Sequence, residues 1–259
     1  MPESTRDKKP EDRIEIRQAF PIPAVHADSI YGDLYLPTSE NHNGAAVILL
    51  FGGSWRTGDR SQQKAYGIAL AKAGFTALAC DYRLSSVAFW PAQNQDISTA
   101  AHWLQSRTAE MGLDPGRIGI SGNSSGGHLA LMAAAKDNDW RPAAVCAFYS
   151  PTRLLSPTEP GHDESFLQLM GPNASNADYQ HASPLLRVHE NYPPTLLIVG
   201  DADSRVSPEN SFAFYQALKR VGATAELHSF AGLDHAFDMQ RDMAMLCAQL
   251  MTAFFRRYL

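Results

Sequence analysis

A serine flanked by glycines has a spacing that favours nucleophilic catalysis. Residues 122–126 read Gly-Asn-Ser-Ser-Gly, so glycine stands two positions before and two positions after Ser124. A strand-type run, Arg117–Ser121, precedes this pattern, and a helix-type run, Ser125–Lys136, follows it. At such a turn the serine is held in a strained conformation that exposes its hydroxyl, and the glycines leave room where strand and helix crowd together. Ser124 is therefore the candidate nucleophile.

A serine hydroxyl is a weak nucleophile, so it needs a base and an acid that orients the base. Of the nine histidines, His235 stands out because it lies in a polar loop after the strand-type run Ala225–Phe230. Asp201 and Asp203 both follow the run Thr195–Val199. We favour Asp203, since two further residues let the chain turn toward the histidine loop, and Asp201 remains the alternative.

Two other polar residues near these motifs are interpreted as structural. Asp234 is adjacent to His235 in sequence, and sequence neighbours cannot easily form the bond from carboxylate to ring nitrogen. His128 lies on the predicted helix after the serine, where it is typical of a packed core residue.

A pair of glycines after another strand-type run could supply backbone donors. The sequence Phe51-Gly-Gly-Ser-Trp55 follows the apolar run Ala45–Phe51 directly. Its Gly53 and Ser54 N–H groups, with that of Ser125 at a helix start, could form an oxyanion hole. Loss of one such donor typically costs about 3 kcal/mol in the transition state.

The elements that must position these residues alternate along the chain. This alternation predicts an α/β fold with a mostly parallel central sheet and helices on both faces. The predicted strands are Ile30–Leu36, Ala45–Phe51, Phe75–Asp81, Arg117–Ser121, Ala143–Tyr149, Thr195–Val199 and Ala225–Phe230, and the predicted helices are Ser61–Ala73, Gln95–Met111, Ser125–Lys136, Pro208–Val221 and Met239–Tyr258.

Composition limits the function classes. A chain of 259 residues, 44% of them hydrophobic, can bury one large core, and we expect one domain over residues 1–259. The net charge of −5 argues against nucleic acid as a partner. The charged residues 1–13 predict a flexible tail rather than a secretory signal, and no long apolar run suggests a membrane span. We therefore expect a cytoplasmic protein, and the sequence gives no indication of its oligomeric state.

One stretch interrupts the alternation. Residues 152–194 are rich in proline, serine and asparagine and hold one short helical run, Asp163–Met170. Long insertions in compact folds are often functional lids, so we expect a small cap here.

With these motifs the chain resembles α/β-hydrolase carboxylesterases, in the group that includes hormone-sensitive-lipase-like and bacterial acetyl-, xylan- and feruloyl-esterase-like enzymes. The resemblance implies Ser124 as nucleophile, Asp203 as acid and His235 as base, with backbone donors at Gly53, Ser54 and Ser125. The residues that carry it are Phe51–Trp55, Asp81–Leu84, Trp90–Gln93 with Asp96, Asp114–Ala130, Ala182–Leu185, Pro193–Ile198, Gly200–Asp203 and Gly232–Phe237.

The chain departs from this group at two positions. Phe51 stands where relatives commonly have a histidine that braces the oxyanion loop, so the loop must be held otherwise, for instance by packing. Ser125 stands where alanine is common. Neither change removes a backbone N–H. The resemblance also implies that Arg83 and Asp96 form a pair that fixes the loop carrying Trp90.

These observations predict a serine hydrolase that cleaves a small carboxylic ester, with a short acyl group, and that needs no cofactor or metal. Trp55 and Trp90 are candidate walls of the substrate pocket, as are Phe166, Leu169 and Met170. Two alternatives remain: an amide or formamide hydrolase of the arylformamidase kind on the same triad, and a non-catalytic homologue that binds a small ligand.

Overall fold

The computed structural model describes residues 14–24, 29–38 and 40–259. The tail that the sequence predicts over residues 1–13 lies outside the described residues. An eight-stranded sheet occupies the centre, with its strands in the order β1-β2-β4-β3-β5-β6-β7-β8. The strands are β1 (Glu15–Ile22), β2 (Ile30–Leu36), β3 (Ala46–Leu50), β4 (Thr76–Cys80), β5 (Ile118–Asn123), β6 (Val145–Phe148), β7 (Thr195–Gly200) and β8 (Ala225–Phe230).

Eight α-helices connect or follow these strands in the described part of the chain. They are α1 (Lys64–Lys72), α2 (Ala92–Gln105), α3 (Thr108–Met111), α4 (Ser125–Ala133), α5 (Glu164–Met170), α6 (Asn176–His181), α7 (Glu209–Arg220) and α8 (Arg241–Tyr258). Short 3-10 turns cover Arg60–Gln63, Pro184–Arg187 and Phe237–Met239. None of the helices in the described ranges combines the length and apolar character needed to cross a bilayer.

The sheet is parallel over its six central and C-terminal strands. β4, β3, β5, β6, β7 and β8 run in one direction, and among the strands of the described residues only β1–β2 and β2–β4 pair antiparallel. Leu50 lies opposite Gly122, and Asn123 lies opposite Phe148. The carboxyl ends of these strands therefore share one edge, and the predicted α/β-hydrolase architecture is confirmed.

Both faces of the sheet are buried, which explains the unbroken apolar run in β3. Val47 and Leu49 join one core, while Ile48 and Leu50 join the other. Side chains from α2, α4 and α7 fill one of these cores, and side chains from α1 and α8 fill the other. A strand covered by helices on both sides has no polar face, as this fold requires.

Two elements differ from the prediction. The helix predicted over Gln95–Met111 is split into α2 and α3, because the Ser106 hydroxyl donates to the Trp103 carbonyl and competes with the helical ladder. The edge strand β1 was not predicted, since its EIRQAFPI sequence has mostly exposed side chains and no apolar alternation.

The insertion over residues 152–194 contains two short helices rather than the one predicted. The predicted helix is confirmed as α5, whose first turn is capped by Asp163 accepting from the Ser165 N–H at 2.7 Å. The second, α6, begins with a capping box formed by Ser175 and Asp178. α5 approaches the loop before α2, since the Trp90 N–H donates to the carbonyl of Leu169 in α5 at 2.9 Å.

Candidate active site

The turn between β5 and α4 has the strained geometry that its glycines predict. Ser124 has φ 53° and ψ −117°, a backbone conformation that residues other than glycine rarely adopt. A Cβ on Gly122 would lie 2.3 Å from the Gly126 carbonyl oxygen, and a Cβ on Gly126 would lie 2.4 Å from the Leu50 oxygen. Both glycines are therefore needed for strand β3, strand β5 and helix α4 to meet, and Ser124 stands at that meeting point.

The three residues proposed from sequence as nucleophile, base and acid lie in hydrogen-bonded series. Nε2 of His235 is 3.1 Å from Oγ of Ser124, and Nδ1 is 2.7 Å from Oδ2 of Asp203. The Asp203 side chain is fully buried, and its Oδ1 accepts from the N–H groups of Arg205 and Val206. These two backbone donors fix the carboxylate, so that its second oxygen faces the imidazole.

Two further aspartates join the loop after β7, which carries Asp203, to the loop after β8, which carries His235. Asp234 accepts from the Ser204 N–H at 2.7 Å and from the Ser204 hydroxyl at 2.9 Å. Asp201 accepts from the Gly232 N–H at 2.6 Å. Backbone bonds from Ser204 and the adjacent histidine lower the pKa of Asp234, so this carboxylate stays charged. Asp201, the alternative acid in the sequence, thus anchors a loop and does not contact the imidazole.

The loop after β3 presents backbone N–H groups beside the serine. Gly53, Ser54 and Trp55 have φ values of 138°, 53° and 58°, so three successive residues are in positive-φ conformations. Among the described residues, no backbone carbonyl accepts from the N–H of Gly53 or Ser54. Ser125 is the first residue of α4, where the N–H has no partner within the helix. These N–H groups are available to an oxyanion.

The loop after β3 has Phe51 where relatives commonly have a bracing histidine. Ring packing and one hydrogen bond hold the loop instead. The ring of Phe51 stacks on Tyr82 with centroids 4.3 Å apart and an interplanar angle of 7°. The Tyr82 hydroxyl also donates to the Phe51 carbonyl at 3.0 Å. The expectation that the loop is held by packing is confirmed.

The predicted pair of Arg83 and Asp96 is also confirmed. Nε of Arg83 lies 2.9 Å from Oδ2 of Asp96, and Nη2 lies 2.9 Å from Oδ1. Asp96 is buried in α2, and the Arg83 N–H donates to the same carboxylate at 2.8 Å. The pair ties the segment after β4 to the start of α2, and Trp90 lies on the loop between them.

Two cavities meet at Ser124. The small cavity, of about 400 Å³, reaches toward Ser125, Trp55 and Phe166. The large cavity, of about 910 Å³, reaches toward His235 and Gln168. Both are also bordered by Ser54, Asp163, Ser165 and Arg205. Residues 152–194 therefore contribute walls to both cavities.

The aromatic candidates take different places. Trp55 borders the small cavity, as does Phe166. Trp90 borders neither cavity, which corrects our expectation. Its ring packs against that of His128, 5.7 Å between centroids, and the Trp55 ring contacts the same imidazole. Leu169 and Met170 are buried core residues rather than walls, because α5 turns them toward the hydrophobic core.

Sequence reasoning missed three residues around the serine and histidine. Tyr149 packs edge-on against the His235 ring with centroids 4.6 Å apart. Its hydroxyl contacts Asp238 and Asn123, both buried. The available signal was position, since Tyr149 directly follows β6 at the same edge of the sheet as Ser124.

A metal site is not evident in residues 14–24, 29–38 and 40–259, where no group of three His, Cys, Asp or Glu side chains is placed to hold an ion.

The fold and the Ser–His–Asp arrangement define the class of α/β-hydrolase proteins. Within that class the chain belongs to the BD-FAE family, whose family model matches residues 32–218.

Known proteins agree with this placement. Esterase LipQ of Mycobacterium tuberculosis is 30% identical over 213 residues, which cover 74% of this chain and 50% of that protein. The chain spans about half the length of the first curated relatives that it matches.

Solved structures resemble nearly the whole chain. The propionate-bound esterase Est2 of Thermogutta terrifontis is 25% identical, with a TM-score of 0.79 and 94% of each chain covered. An acetyl ester-xyloside bifunctional hydrolase from Caldicellulosiruptor lactoaceticus is 26% identical, with a TM-score of 0.77 and 88% of each chain covered.

Proposed function

We propose that this protein hydrolyses carboxylic esters by acyl transfer through Ser124. The observation that carries the proposal is the series from Asp203 to His235 to Ser124, with distances of 2.7 and 3.1 Å. In this order the imidazole accepts the hydroxyl proton, and the carboxylate stabilises the charge that develops on the ring. The esterase names of similar proteins support the same chemistry.

In the first step Oγ of Ser124 attacks the ester carbonyl carbon, and its proton passes to Nε2 of His235. The carbonyl oxygen becomes an oxyanion, which the N–H groups of Gly53, Ser54 and Ser125 stabilise. The bond to the alcohol oxygen then breaks as the imidazolium protonates that oxygen, leaving an acyl group on Ser124. A water that gives its proton to His235 then attacks this acyl group. The bond between the acyl carbon and Oγ of Ser124 breaks as the imidazolium returns the proton to Oγ, which releases the acid and restores the serine.

We assign the acyl group to the small cavity and the alcohol to the large one. The alcohol oxygen receives its proton from His235, so the alcohol must leave on the side where His235 lies. His235 borders only the large cavity, and Ser125 borders only the small one. A volume of about 400 Å³, with rings of Trp55 and Phe166 in the wall, supports a short acyl group. The bound propionate of the Thermogutta esterase supports the same size class.

The lining of the large cavity supports a hydroxylated alcohol. Thr57, Gln62, Glu164 and Gln168 offer donors and acceptors there. The xyloside named for the Caldicellulosiruptor hydrolase supports an alcohol of this kind. In this proposal residues 152–194 act as a small cap, which supplies Phe166 to the acyl side and Gln168 to the alcohol side.

A substrate panel run beside the Ser124→Ala variant tests the proposal. The panel contains acetylated sugars, aryl esters from acetyl to octanoyl, and formyl amides, and a fluorophosphonate reagent labels the nucleophile. We expect acetyl esters to be turned over fastest, and both turnover and labelling to vanish in the variant. Full activity in the variant would remove Ser124 from the mechanism. Faster turnover of formyl amides than of every ester would assign the protein to amide hydrolysis instead.

A further inference from the structure

A buried group of polar side chains lies beside the imidazole of His235. These side chains are not part of the hydrogen-bonded series Asp203–His235–Ser124. At the centre of this group is the buried Asp238, which lies three residues after His235 in the sequence. Oδ1 accepts from the Tyr149 hydroxyl at 2.5 Å, and Oδ2 accepts from the Tyr66 hydroxyl at 2.6 Å and the Asn123 amide at 2.8 Å. We call these four residues the Asp238 cluster.

The polar side-chain atoms of the Asp238 cluster bond to one another and to Gln63. The Asn123 amide also donates to Oη of Tyr149 at 2.9 Å, and its carbonyl accepts from Gln63 at 3.1 Å. Burial and the charge of Asp238 raise the pKa of Tyr149 well above its ordinary value, so the phenol stays a donor at neutral pH. A carboxylate is kept in the interior only when it is hydrogen-bonded in this way. The four residues border the large cavity, but their side-chain polar atoms are taken up by one another and by Gln63, so the cluster acts as a scaffold in the wall of that cavity.

Tyr149 carries the connection from this scaffold to the base. Its ring meets the His235 ring edge-on, at 4.6 Å and an interplanar angle of 64°. Phe237 packs against the Tyr149 ring as well, at 5.8 Å. Tyr149 has φ 36°, a strained conformation for a residue with a side chain, which persists only where the surroundings fix it. The Asp238 carboxylate and the Tyr149 N–H bond to Ile198 are two contacts that fix it.

The Asp238 cluster also joins the nucleophile to the base. Asn123 immediately precedes Ser124, and Asp238 lies on the chain segment that carries His235. The Asp238 carboxylate thus links the segment that carries His235 to the segment that carries Ser124. Its third donor, Tyr66, comes from α1. These contacts link the segments that carry Ser124 and His235, in addition to the bond between the two residues.

We propose that Asp238 and Tyr149 are positioning residues, which hold the His235 imidazole in line with the Ser124 hydroxyl. The inference rests on the proposed function insofar as it takes Ser124 and His235 as the reacting pair. A shift of the base by a fraction of an ångström slows proton transfer without weakening substrate binding. The predicted signature is therefore a loss in kcat with KM unchanged.

The test compares Tyr149→Phe and Asp238→Asn with Tyr192→Phe. Tyr149→Phe keeps the ring and removes its tether, and Asp238→Asn replaces one acceptor by a donor. Tyr192 is a matched control, because its buried hydroxyl donates to the Leu131 carbonyl on the opposite core. For each protein, thermal unfolding, kcat and KM for an acetyl ester, and the rate of fluorophosphonate labelling are measured.

We expect the two cluster variants to lose about tenfold in kcat and in labelling rate with KM within twofold, while Tyr192→Phe changes neither rate. Rates in Tyr149→Phe equal to those in Tyr192→Phe would overturn the proposal, and this comparison decides even if Asp238→Asn fails to fold. Labelling reports activation of Ser124 whatever the natural substrate. A wrong ester assignment would therefore leave labelling of the wild type intact, whereas a wrong positioning role would leave all labelling rates equal.

Discussion

The indole nitrogen of Trp55 donates to Nδ1 of His128 at 3.2 Å, and this bond joins the loop after β3 to α4, the helix that begins beside Ser124. Nε2 of His128 lies 2.8 Å from the Ala182 carbonyl in the insertion. Because an indole only donates and a carbonyl only accepts, the ring must carry its proton on Nε2 and none on Nδ1. A neutral His128 therefore ties three parts of the site together.

The first prediction concerns stability against pH. Burial lowers the pKa of His128 from 6.5 to about 4. Between these values the unfolded chain binds a proton at this residue and the folded chain does not, so stability falls as the pH falls. Integrated from pH 6.5 to pH 4, this difference amounts to roughly 3 kcal/mol of unfolding free energy. Above about pH 7.5, where the imidazole is neutral in both states, the residue contributes almost no pH dependence.

Urea unfolding of wild type and His128→Gln at pH 7.5, 6 and 5 checks this prediction. The variant should be less stable at pH 7.5, because it disturbs the bonds to Trp55 and Ala182, yet it should lose less stability on acidification. Parallel losses in the two proteins would contradict the assignment of a neutral, buried imidazole.

The second prediction separates the two aspartates after β7. Asp203→Asn leaves the size of the side chain unchanged but removes the charge that faces His235, so kcat should fall on the order of 10³- to 10⁴-fold. Asp201→Asn is the matched control. Its oxygen still accepts from the Gly232 N–H, and kcat should stay within about threefold of wild type. Steady-state kinetics of both variants decide the matter, and comparable losses would refute Asp203 as the acid.

The third prediction measures backbone strain at Ser124. Ser124→Ala keeps the strained φ of 53°, whereas Ser124→Gly relieves it. Strain of this kind costs about 1–3 kcal/mol, and glycine loses about 0.5–1 kcal/mol through chain entropy. Ser124→Gly should thus unfold with about 1 kcal/mol more free energy than Ser124→Ala, in denaturant titrations of two inactive proteins. A less stable glycine variant would mean that the turn stores no strain.

The fourth prediction separates the two cavities with two residues of α5. Phe166 borders only the small cavity, so Phe166→Ala should raise kcat/KM for hexanoyl relative to acetyl esters by about tenfold. Gln168 borders only the large cavity, so Gln168→Ala should leave that ratio unchanged and raise KM for an acetylated sugar. Chain-length profiles of both variants provide the measurement. If only Gln168→Ala changed the ratio of kcat/KM between hexanoyl and acetyl esters, the acyl group would belong in the large cavity and the alcohol in the small one.

The local motifs were readable from the sequence because their causes are local. The glycines around Ser124 follow from the crowding of one strand and one helix, and the unbroken apolar run of β3 follows from burial on both faces. Parallel strands end at one edge, so the loops carrying Gly53, Asp203 and His235 could be expected to meet there.

Only the tertiary structure decided what lies between those loops. Tyr66 and Asp238 are 172 residues apart, and no periodicity relates a tyrosine in α1 to an aspartate beside the histidine. Trp90 faces His128 rather than the cavity because of how its loop packs on α5. Such contacts depend on the angles and distances at which whole elements pack, whereas spacing along the chain encodes only the order and type of those elements.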